Sequence, residues 1–196
     1  MIELQLYGTD GLFHNIVKKS AVFDGRYAPL VKGGDLNTNN ILSGVEFPKE
    51  KYPGVFALPP TSAIKDATTK NAAWECFYFR LFFLCRTNNT GDNQIKSPDP
   101  NTNTSLHTVP MDWNDMKNLA LNFMNALEVV QMKLRGQFRL GQRESWKIIR
   151  VSHVQNDNLS GVMLQFEGEL AMSCTFTDID TSAIDLTFPE HPTHFH

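Results

Sequence analysis

The sequence predicts an α+β fold in which an antiparallel sheet packs against one long helix, about residues 112–134, and a short N-terminal helix. Three observations carry that prediction. The stretch from Gly161 to Phe176 alternates, with Val162, Leu164, Phe166, Leu170, Met172 and Cys174 on one parity and Gln165, Glu167, Glu169, Ser173 and Thr175 on the other. Such period-2 patterning is the mark of a strand with one wet face. The stretch from Asp112 to Leu134 places Trp113, Met116, Ala120, Phe123, Met124, Leu127, Val130 and Leu134 at three- and four-residue steps, a broad apolar helix stripe. Between them in kind lies AWECFYFRLFFLC, residues 73–85, a strand by composition that is apolar on both parities and therefore needs cover on both faces.

The remaining elements follow in chain order. Thr9 or Asp10 is placed to cap a short helix carrying Leu12, Phe13, Ile16 and Val17 on one side. From Ala21 to Pro60 the chain is rich in turn residues, and its prolines and the Gly33–Gly34 pair exclude a long helix. Gly54 to Leu58 is the one regular element expected there, a short strand. Residues 61–71 read as a polar connector with room for a helical turn. The Phe-rich strand, Trp74–Arg86, ends in the polar loop Thr87–Thr108, where Ile95 and Leu106 are the only sizeable apolar groups. Loops of that length in a compact domain are usually working or mobile ones. Asp112 is expected as the N-cap of the long helix, with Asp115 adding negative charge to its first turn. Trp146–Val154 reads as a further strand, joined to the last one through a hairpin turn at Asn156–Gly161. The tail from about residue 185 is irregular. No internal repeat or composition break divides the chain, so residues 1–196 are expected to form a single domain.

Composition narrows the function classes. Hydrophobic residues make up 41% and charged residues 20% of 196, ordinary for a globular chain. A net charge of −3 gives no electrostatic reason to expect specific nucleic-acid recognition. Lys133, Arg135, Arg139, Arg143 and Lys147 are the nearest thing to a basic patch and read as a solvated or subunit-facing stretch. The N-terminus carries Glu3 and lacks a basic leader region, and no apolar run approaches the ~18 residues of a membrane helix, so neither secretion nor a membrane partner is expected. Cys76, Cys85 and Cys174 all lie in strand-like apolar stretches, as reduced core thiols would.

The sequence offers little chemistry. It has no nucleophile-elbow, phosphate-loop or zinc-protease motif. Gly33 and Gly34 lack the spacing and the lysine of a phosphate loop and read as a turn. His191, His194 and His196 cluster at the C-terminus without cysteine or carboxylate support, so no metal site is expected. Neither a Cys174–His153 nucleophilic pair nor a Glu167–Glu169 acid–base pair outweighs the core thiol and the solvated strand face. No catalytic residue, cofactor or metal is assigned, and the chain is expected not to be an enzyme.

Several segments occur together in a familiar order: DLNTNN, then YPGVFALPP, the Phe-rich strand with its polar loop, DWNDMKNLALNFMNAL, and NDNLSGVMLQFEGELAMSC. Over roughly Asp35 to Cys174 the chain resembles small virion proteins from the neck or tail end of tailed phages of Bacteroidetes-type bacteria. The wider group is the tail terminator, or tail-completion, proteins. The resemblance implies an α/β chain without an active site that forms a homo-oligomeric ring, commonly a hexamer. Such a ring terminates the tail tube or joins head to tail. Its partners are further copies of itself and neighbouring neck and tail proteins, and its location is the virion, after assembly in the host cytoplasm. Candidate subunit-interface residues are then Glu167 and Glu169 on the alternating strand and Asn88, Asp92 and Lys96 in the polar loop. A rival expectation is a ligand-binding module with an aromatic pocket between helix and sheet, lined by Trp74, Tyr78, Trp113 and Phe123.

Overall fold

The computed structural model describes residues 6–8, 10–23, 25–29, 53–65, 74–86, 109–134, 137–154 and 159–171. In chain order these hold α1 (Leu12–Lys18), β1 (Tyr27–Pro29), β2 (Gly54–Ala57), β3 (Thr61–Lys65), β4 (Trp74–Arg86), α2 (Val109–Lys133), β5 (Phe138–Leu140), β6 (Lys147–Val154) and β7 (Leu159–Ala171). The strands form a seven-stranded sheet in the order β1-β2-β4-β7-β5, with β3 also pairing β4 and β6 also pairing β7. The fold is α+β, as the sequence predicts.

At its centre, β4 and β7 pair antiparallel along their whole length, from Trp74 opposite Ala171 to Arg86 opposite Leu159. The two strongest strand signals in the sequence thus form one ladder. Parity then fixes the faces. Phe77, Phe79, Leu81 and Phe83 of β4 and Val162, Leu164, Phe166 and Leu170 of β7 point to one side and form the main core. Met116, Ala120, Phe123, Met124, Leu127 and Val130 of α2 cover them, and Phe13, Ile16 and Val17 of α1 join at the end. The rings interlock edge to face: Phe13 lies 5.0 Å from Phe79 at 78°, and Phe83 lies 5.7 Å from Phe123 at 68°. That is the arrangement the aromatic quadrupole favours. Gly168 is the one small residue of this inner row, because a Cβ there would come within 3.1 Å of both Phe79 and Phe138.

The second face of β4 is divided. Phe82 and Leu84 join Phe56, Leu58 and Leu159 in a smaller apolar cluster, each at most 2% exposed. Towards the other end of the strand the same face carries Trp74, Tyr78 and Arg80, which are half-buried or exposed. A strand apolar on both parities therefore serves two cores, one of them half the strand's length.

Several expectations are corrected. The long helix begins at Val109, three residues before its expected cap, and Asp112 is buried within its first turn at 1% exposure. Pro110 suits a first turn, since its missing N–H would have no helical partner there. The cap of α1 is Gly11, with no side-chain cap bond; Asp10 takes φ 69° and its N–H donates to His14 Nδ1 at 2.9 Å. Residues 61–65 form β3 rather than a helical turn, and Phe138–Leu140, read as connector, forms β5. The sheet is antiparallel except for β1 and β2, which run parallel with Tyr27 opposite Val55. That pairing needs a long crossover rather than a hairpin, and the turn-rich stretch between the strands supplies the length. β6 and β7 pair antiparallel as expected, with a register shift between Val151 and Val154.

Candidate interaction face

The face of the sheet away from α2 is laid out by register in cross-strand rows. Arg139 of β5, Glu169 of β7 and Cys76 of β4 stand opposite one another. The next row pairs Glu167 with Tyr78, and the next sets Lys147, Gln165 and Arg80 side by side. After these come Ile149, Met163, Phe82 and Phe56, where the face turns apolar. The polar end presents three cations and two carboxylates around a carboxylate-bearing central strand. Opposite charges on neighbouring strands stabilise such a face by a few tenths of a kcal/mol per pair up to about 1.

Two large apolar side chains on this face remain open: Tyr78 is 43% and Ile149 41% exposed. Tyr78 stands in the Glu167 row, and Ile149 lies two rows further on, beyond Lys147, Gln165 and Arg80. Glu167 and Glu169 are half-buried rather than fully wet, because β4 and β5 crowd them on either side. Gly141 shows how close that crowding is: a Cβ there would sit 2.9 Å from Glu167 Cβ. The sequence missed this contribution of β5, because three residues, FRL, carry no readable period.

Of the expected interface residues, the structure places Glu167 and Glu169 together on this face, two rungs apart. Asn88, Asp92 and Lys96 lie outside the described residues, as do Cys174, the C-terminal histidines and the side chain of His153. The four residues of the rival pocket do not converge. Trp74 and Tyr78 share the parity of Phe82 and face away from the helix, whereas Phe123 is 1% exposed in the main core against Phe83. Trp113 reaches the β6 edge instead, donating its indole N–H to the Val151 carbonyl at 2.8 Å.

Cys85 is 2% exposed and its thiol donates to the Ser160 carbonyl at 3.4 Å. Burial first, then the neighbouring Asp112 carboxylate, hold that thiol far above the ordinary cysteine range, the opposite of an activated nucleophile. Cys76 and Cys85 have opposite parity on one strand and about 30 Å of extended chain between them, so they cannot pair with each other. Among the described residues no three metal-ligating side chains cluster, and no helix is long and apolar enough to cross a membrane. No protein-family model matches the chain, and no curated protein matches it.

Proposed function

We propose that the chain is a non-enzymatic structural protein of a phage virion, forming a homo-oligomeric ring at the neck or tail that terminates the tail tube or joins it to the head. The observation that carries the assembly role is the outer sheet face, where exposed Tyr78 stands opposite Glu167 beside the Glu169 row and exposed Ile149 lies two rows away. Aromatic residues beside paired charges are the usual makings of a protein–protein contact, with the apolar groups contributing affinity and the charges contributing register. The placement in a virion comes from the family resemblance alone. Further copies of the chain and neighbouring neck and tail proteins are its partners under this reading, and neither cofactor nor membrane enters it.

Mass photometry of the purified full chain tests the proposal. A ring predicts one closed multimer, hexamer first. Tyr78→Ser with Ile149→Ser should shift the population to monomer while the fold, followed by circular dichroism, is retained. A wild-type chain that stays monomeric at tens of micromolar, alone and with isolated tail tubes, would refute it.

A further inference from the structure

The edge formed by β5 and β6 borders the outer face, shares Arg139 and Lys147 with it, and carries a line of cations. Every tryptophan of the chain has an arginine over its ring: Arg139 lies 4.0 Å from the Trp74 centroid, Arg143 5.4 Å from Trp146 and Arg150 5.3 Å from Trp113. Arg143 is neutralised, its guanidinium donating to both carboxylate oxygens of Glu128 at 3.1 and 2.8 Å. Arg139, Lys147 and Arg150 are exposed, and among the described residues none has a carboxylate within ion-pair distance. Their register partners on β7 are Glu169, Gln165 and Val162. At the strand rise of about 3.3 Å, the three cations are therefore spaced at roughly 13 and 10 Å along the edge. Arg139 and Lys147 project to the outer side of the sheet and Arg150 to the helix side.

Charged residues often serve only to keep an open edge from pairing. Here part of the edge is closed by other means. The Leu140 N–H, turned outward by the alternation of the ladder, donates to Gln131 Oε1 at 2.6 Å. The Val151 carbonyl accepts from Trp113 and the Gly141 carbonyl from Trp146. The three cations have no carboxylate within ion-pair distance among the described residues, and two of them are held in place by an aromatic ring, which reduces the ordering cost of binding.

We propose that this β5–β6 edge is a docking surface for an acidic protein partner, engaged through Arg139, Lys147 and Arg150. A protein surface fits better than nucleic acid. A single strand carries a phosphate about every 3.4 Å of a duplex axis, far denser than one cation per 10–13 Å. Exposed Glu144 and half-buried Glu167, beside the cations, would also repel a continuous polyanion.

The test uses the full-length chain with a fluorescently labelled peptide of eight Gly-Gly-Glu repeats, whose carboxylates recur about every 10 Å when extended, and an oligo-dT 20-mer as the nucleic-acid probe, both at low salt. Wild type should bind the spaced acidic peptide more tightly than oligo-dT. R139Q/K147Q/R150Q should weaken peptide binding at least tenfold, while K117Q, on the exposed face of α2, leaves it unchanged. Lys147→Glu alone, at a side chain with no ion pair among the described residues, should weaken it at least threefold and serves if the triple variant does not fold. Absence of wild-type binding, or equal affinities for wild type and these variants, would overturn the proposal. Preferential oligo-dT binding, lost in the same variants, would overturn it in favour of a nucleic-acid surface.

Discussion

Phe166→Ala empties the centre of the main core. Phe166 is 3% exposed, with ring centroids of Phe79, Phe13 and Phe123 at 5.2, 5.9 and 6.5 Å. Full burial of a phenylalanine side chain stabilises by about 1.5–3 kcal/mol. Loss of its ring contacts adds about 0.5–1.5 kcal/mol for a good aromatic pair. The cavity cannot collapse easily, because α1, α2 and β4 all brace it. The expected loss is therefore about 3–5 kcal/mol, the upper part of the range for emptying a core position. Urea unfolding followed by tryptophan fluorescence should show a lower midpoint at nearly unchanged slope. For a chain of this size the thermal midpoint should fall by roughly 10–15 °C. Glu167→Gln, one residue along on the other face, is the internal control and should cost under about 0.5 kcal/mol. If the two substitutions cost the same, or Phe166→Ala costs under about 1 kcal/mol, the parity assignment of β7 and the seating of α2 are both refuted.

Gly161→Ala should destabilise by at least about 1–3 kcal/mol, the usual range for forcing atoms into a packed site, because its Cβ would stand 2.0 Å from the Phe83 carbonyl oxygen; denaturant titration measures it. Trp113→Phe keeps the aromatic body but leaves the Val151 carbonyl without its indole donor, at a cost of about 1–3 kcal/mol, and amide exchange in β6 should speed up before that in β4. Under reducing conditions, Cys85 should make stability fall with rising pH. The folded state keeps the proton that the unfolded thiol gives up above about pH 9, so the folded state binds more protons and the slope is negative. The difference between wild type and Cys85→Ala should reach up to about 1.4 kcal/mol per pH unit, and a flat difference from pH 8 to 10 would contradict the buried-thiol assignment.

Much of the fold was legible because two strands carry strong patterns. The parity of β7 named its buried row in advance, and the structure buries Val162, Leu164, Phe166 and Leu170 as that parity requires. The helix stripe was equally clear, since its period does not depend on where the helix begins. Its start was not legible. Asp112 has the chemistry of a cap, yet it turns inward beside Cys85, 27 positions earlier in the chain and brought there only by tertiary packing. The short strands were hidden for a different reason. TSAIK and FRL are too brief to show a period, and they are strands because β4 and β7 offer them edges to pair with.

The interaction face shows where one-dimensional reading stops. Glu167 and Glu169 are visible as a polar parity, and solubility alone would place them there. What distinguishes them is their company: Tyr78 and Arg139 stand beside them through pairings 89 and 30 positions away in sequence, and only the register reveals it. The same holds for the tryptophans. Trp74 and Arg139 are far apart in the chain, but β7 separates their strands by one rung, which stacks the guanidinium on the ring. A surface assembled across strands has no local signature. It follows that the substitutions most informative about function are those at register partners, Tyr78 with Glu167 and Arg139 with Glu169, made singly and together. Coupling between partners across the face, measured as non-additive loss of assembly in a double-mutant cycle, should exceed about 0.5 kcal/mol if the rows act as a unit. Strict additivity in assembly, with folding stability unchanged, would mean that the rows serve the sheet and not a partner.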